Sequence, residues 1–146
     1  MTFRYRKKRT PQMWPFNRLE PDRRGEKTTG FIQGQQAGSR AEEYFAHGLE
    51  QITAEGRIDG YIYSYEFHGG AGMTGGLVAD FLVFSRPTST IAEVDGHFHN
   101  SEEDAARDAR LSDAAMKAGM NREIIHVDAE LLNSNEDGLR LARESF

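Results

Sequence analysis

Apolar residues recur along this chain in two rhythms, and these predict most of its elements. From Ser39 the spacing is helical, with Ala41, Phe45, Gly48, Leu49 and Ile52 on one stripe. Ser39-Arg40-Ala41-Glu42 has the form of a capping box, and Gly56 is a natural stop. Residues 61–68 are aromatic-rich and strand-like. Five glycines within residues 69–76 predict a loop. Residues 77–84 form an apolar run that predicts a second strand, residues 86–88 a turn, and 90–95 a third strand. Residues 101–118 return to helical spacing, with Ala105, Leu111, Ala115 and Met116 as candidate buried positions and Gly119 as the stop. A strand over 123–127 and a short helix over 135–144 close the order α-β-β-β-α-β-α.

The first 38 residues follow neither rhythm. They hold three of the four prolines and predict an extended arm, with the Gly- and Gln-rich stretch 30–38 as its linker to a domain spanning 39–146. Charge supports the division. Nine Lys/Arg against three acids give this segment +6, and the rest of the chain carries -11, so the net charge of -5 hides two opposite bodies. A basic arm with interleaved aromatics (Phe3, Tyr5, Trp14, Phe16) suits a nucleic-acid backbone, through Arg4, Arg6, Lys7, Lys8 and Arg9, or a protein partner. Apolar residues at 38% allow one modest core, and the absence of cysteine excludes disulfides and Cys-based zinc sites. No apolar run is long enough to span a bilayer, and none follows the basic N-terminus as a secretory signal requires. A cytoplasmic or virus-associated protein, not a secreted one, is expected.

The candidate chemistry lies where charge interrupts the apolar strands. Asp80 is the single charge in the run 77–84. On the next strand, the period of two puts Ile91, Glu93 and Asp95 on one face. An ionised carboxylate inside a covered sheet needs a cation, a proton or several hydrogen bonds. Three crowded carboxylates favour a hard divalent ion such as Mg²⁺ or Mn²⁺. The structural alternatives are a loop-capping Asp80, Glu93 and Asp95 on an exposed edge, and Asp95 as a turn former before Gly96.

These residues resemble a known family. Val78-Ala79-Asp80-Phe81, Ile91-Ala92-Glu93-Val94-Asp95-Gly96-His97-Phe98-His99, the helix element Asp104-Ala105-Ala106-Arg107 with Leu111, then Gly119 and Ile124-Ile125-His126-Val127 are similar to the very-short-patch-repair-like branch of the PD-(D/E)XK nucleases. The resemblance covers residues 39–133. It implies a restriction-endonuclease-like α/β core, with a mixed four-stranded sheet flanked by helices, and a Mg²⁺-dependent DNA endonuclease; RNA remains an alternative substrate. Asp80, Glu93 and the backbone carbonyl of Val94 would bind the ion, and Asp95 would complete or orient that shell. His99 would act as general base or acid, with a surface histidine as its bland alternative. Glu42 would approach the metal, unless it serves only the capping box, and Arg107 would meet phosphates, unless it belongs to a solvated helix face. The commonest form of the superfamily carries lysine where this chain has Asp95. That departure leaves a second expectation, a catalytically degenerate subunit that binds nucleic acid or a protein in a larger assembly.

Overall fold

A computed structural model describes residues 28–67, 76–96 and 102–146. The arm before residue 28, with Arg4, Arg6, Lys7, Lys8 and Arg9, lies outside the described residues. So do His97, His99 and the Gly-rich loop up to residue 75.

The predicted order holds, with additions. A small hairpin, β1 (Phe31–Ile32) and β2 (Gln35–Gln36), precedes helix α1 (Arg40–Ala54). Strands β3 (Gly60–Phe67), β4 (Leu77–Ser85) and β5 (Thr88–Asp95) follow. Next come α2 (Glu102–Lys117), β6 (Ile125–Asp128), a 3₁₀ turn at Ala129–Leu131 and α3 (Asn135–Ser145). The chain is α/β, with a mixed four-stranded sheet in the order β3-β4-β5-β6 and helices on both faces. The first three strands are antiparallel, and β6 runs parallel to β5.

Ser39 starts α1 as expected, its hydroxyl accepting the Glu42 N–H at 3.1 Å. Phe45, Leu49 and Ile52 then bury one stripe against Tyr61, Tyr63, Phe81, Val83 and Ala92. Phe81 sits at the centre of this layer. Its ring lies 5.4 Å from Phe45, edge-on, and 5.2 Å from Tyr63, contacts each worth about 0.5–1.5 kcal/mol beyond area burial. Helix α3 packs on α1 at backbone distance. A Cβ added to Gly138 would lie 1.8 Å from the Tyr44 carbonyl oxygen, and one added to Gly48 would lie 2.2 Å from the Gly138 oxygen. Only glycine permits that approach.

The opposite face is covered by α2 through Leu111, Ala114 and Ala115, which meet Ala79, Leu82 and Ile91. Two expected core positions are corrected here. Ala105 is exposed and Met116 is 51% exposed, because neither falls on the 111/114/115 stripe. The linker reading of 30–38 also gives way. Ile32 and Ala37 are buried in the α1 layer, and Gln33 crosses to β3, its amide donating to the Tyr61 carbonyl and accepting the Tyr63 N–H.

Candidate functional site at the sheet fork

The sheet divides in the middle. β4 pairs with β5 only from Phe81↔Ala92 to Ser85↔Thr88. Beyond that point β4 stays with β3 as far as Phe67↔Leu77, and β5 turns to β6 over Ala92 to Asp95. Asp80 and Glu93 stand at the first unpaired step, where the prongs part. Ser64 of β3, opposite Asp80, takes the left-handed conformation (φ 59°), a departure from strand geometry that breaks the alternation. Tyr61 and Tyr63 accordingly face the α1 layer, whereas Tyr65 and Phe67, at the same parity, face the α2 layer.

A parted ladder leaves backbone groups without partners, and buried ones must be satisfied. Here side chains supply the bonds. The Asp80 N–H donates to Glu93 Oε2 at 2.8 Å, and the Val94 N–H donates to Asp80 Oδ2 at 2.9 Å. Arg107 of α2 donates from one nitrogen to Glu93 Oε1 at 2.6 Å and from the other to the Val78 carbonyl at 2.7 Å. Both oxygens of Glu93, 2% exposed, therefore have protein donors.

The fork opens into a cleft of about 760 Å³ lined by Glu42, Asp80, Glu93, Val94, Asp95, Asp104, Arg107, Asp108, His126 and Asp128, among others. Seven of those side chains are carboxylates, against one guanidinium and one imidazole. Burial pushes the Asp80 carboxyl well above the usual aspartate range, and the charges of Glu93 and Glu42 add to the shift. Burial also raises Glu42, against the opposing hydrogen bond from Tyr63. For Arg107 burial opposes the charge, but Glu93 outweighs it and raises the guanidinium further.

The structure thus brings together Glu42, Asp80, Glu93, Val94, Asp95 and Arg107 from the sequence-predicted set; His99 lies outside the described residues. Glu42 is not the reciprocal half of a capping box. Its side chain accepts from the Tyr63 hydroxyl, and Gly38 N–H donates to that hydroxyl at 2.9 Å. Asp95 is more than a turn residue, since it bonds Nδ1 of His126, whose Nε2 lies 2.9 Å from Asp108. Sequence reasoning missed His126, Asp108 and Tyr63 as site residues. The available signal was His126 itself, a polar residue on a short apolar strand; the parallel pairing sets it beside Glu93.

The oxygen donors are of the hard type that Mg²⁺ prefers, and the mutual repulsion of Asp80, Glu93 and Glu42 is the kind a cation relieves. In donor type the fork suits such an ion, but among the described residues no group of three or more His, Asp or Glu side chains is placed so that it could hold one. Compared with family models, curated proteins and solved structures, the chain matches none. Among the described residues no helix is long and apolar enough to cross a membrane.

Proposed function

We propose that the chain is a Mg²⁺-dependent endonuclease that hydrolyses DNA phosphodiesters on a restriction-endonuclease-like core, with Mn²⁺ as a substitute ion. One observation carries the reading: where the sheet parts, the Asp80 backbone N–H donates to Glu93, both side chains line an open acidic cleft, and the charges of Glu93 and Glu42 raise Asp80. Asp80, Glu93 and the Val94 carbonyl would hold the ion. When bound there, Mg²⁺ supplies a Lewis acid for a phosphoryl oxygen and a hydroxide at neutral pH. Asp95, where the commonest form of the superfamily has lysine, is bonded to His126, so an imidazole from the neighbouring strand stands beside the carboxylate at this corner. Arg107 stands at the rim as a donor for phosphate oxygens. A cleft this acidic repels a polyanion until cations enter, and the basic arm over residues 1–38 supplies the long-range attraction. His99 remains the proposed proton carrier, and a cytoplasmic or virus-associated location is part of the same proposal.

A second reading is favoured by a specific contact. Because both Glu93 oxygens accept from protein donors, the carboxylates could serve only to close the fork, in a nuclease-fold module that binds nucleic acid or a protein partner. Supercoiled plasmid, single-stranded DNA and RNA, each incubated with Mg²⁺, Mn²⁺ or chelator, separate the two. The enzyme predicts metal-dependent cleavage that Asp80→Ala and Glu93→Ala each reduce to background. Equal trace cleavage by all three proteins would leave the module.

A further inference from the structure

Arg107 does something a phosphate-binding rim residue need not do: it ties the two prongs of the fork together. One guanidinium nitrogen reaches Glu93 on the β5 prong and the other reaches the Val78 carbonyl on the β4 prong. A cation held between Asp80 and Glu93 would bridge the same prongs. While ionised, Glu93 is helped by a positive partner, since an uncompensated carboxylate at 2% exposure is strongly destabilising.

Resting on the metal-site reading above, we propose that Arg107 is a displaceable counter-ion, which neutralises Glu93 while the cation is away and yields that carboxylate when a divalent cation enters the fork. The side chain is built for the exchange. It is 38% exposed and hangs on a long flexible stem. Glu93 exchanges one positive partner for another, and the carbonyl of half-buried Val78 gives up its bond from Arg107. The freed guanidinium stays tethered at the rim, where five fixed donors suit an anionic oxygen of the substrate. A lysine could neutralise Glu93 as a point charge, but its ammonium lacks the planar fork that spans a carboxylate and a carbonyl at once.

The test is Mn²⁺ binding to the full chain, followed by titration calorimetry and thermal shift, in the wild type, Arg107→Gln and Arg110→Gln. Arg110 is an exposed arginine on the same helix, so its variant removes equal charge without touching Glu93. Removing an internal competitor should tighten Mn²⁺ binding about tenfold in Arg107→Gln, with a clearly smaller change in Arg110→Gln. Equal changes in the two variants, or weaker binding in Arg107→Gln, overturn the counter-ion role while leaving the cation site intact. No Mn²⁺ binding by any of the three overturns both. A wild-type measurement covers the case in which Arg107→Gln fails to fold. Phenylglyoxal labelling of Arg107, read by peptide mass, should rise on adding saturating Mn²⁺. Unchanged labelling rejects the exchange.

Discussion

The two faces of the sheet are held by different physics. On one, α1 and α3 meet backbone to backbone at Gly48 and Gly138, over an apolar layer centred on Phe81. On the other, α2 contributes Leu111, Ala114 and Ala115 to a smaller layer, and its N-terminal half is fastened by charge, Arg107 to Glu93 and Asp108 to His126. Close packing is indifferent to ions and pH, whereas ion pairs beside an open cleft respond to both. The packed face fixes the shape of the fork. The charged face leaves it adjustable, as the proposed site for a cation and a polyanion requires.

The comparison breaks most visibly on the packed side. Gly138→Ala would put a methyl 1.8 Å from the Tyr44 carbonyl oxygen, and since the obstacle is backbone, a helix must move. We expect a loss of about 3 kcal/mol or more, which outweighs alanine's better helix propensity of about 1 kcal/mol. Urea unfolding at several pH values should return the same penalty throughout. A loss under about 1 kcal/mol would mean that the helices are not in backbone contact.

On the charged side, removing a carboxylate of the proposed site should strengthen the fold. Asp80 has a carboxyl raised by burial and by Glu93 and Glu42, so its ionisation works against folding. For an acid raised in the folded state, the favourable contribution is present below the ordinary value of 3.8 and is lost as pH rises through the folded value. Asp80→Asn keeps an oxygen for the Val94 N–H and sheds the charge. It should be more stable than the wild type by about 1–2 kcal/mol at neutral pH, with the advantage vanishing in acid, while cleavage is lost. A less stable Asn variant at neutral pH would show that the ionised carboxylate is a structural asset.

What the sequence made legible divides along the same line. Elements declared by local signals were readable: the Ser39 cap, the α1 stripe, the apolar runs of β4 and β5, and the acids that interrupt them. Asp80 and Glu93 could be expected to approach because two adjacent strands with a short turn leave few registers. The hairpin at 31–36 gave no signal, because two-residue strands have no period and Phe31 is 73% exposed. The side-chain direction of Glu42 depended on where β3 placed Tyr63. The surroundings of Asp95 depended on a parallel strand more than 25 residues further on. The helix 102–117 carried two competing apolar stripes, and the choice that left Met116 outside was made by the sheet it packs on.

The smallest effect tests the charged side at its outer end. His126 presents Nδ1 to Asp95 and Nε2 to Asp108, and an imidazole that donates to both must carry two protons. Burial opposes that charge, but the hydrogen bond and charge of Asp95, with the charge of Asp108 behind them, raise the group above the ordinary histidine value of 6.5. Stabilisation from a raised histidine is fully present below that ordinary value and is lost as pH rises through the folded one. His126→Asn should therefore cost about 0.5 kcal/mol near pH 6, a figure kept low because the side chain is 42% exposed and solvent screens the pair. Well above the folded value the cost should be close to nothing. Urea midpoints of the variant and the wild type at the two pH values give the difference directly, and added salt should shrink it at the lower pH alone. An equal loss at both would mean that His126 holds α2 by contact and not by charge. The contrast between a face that ignores pH and a face that follows it would then have to rest on Arg107 alone.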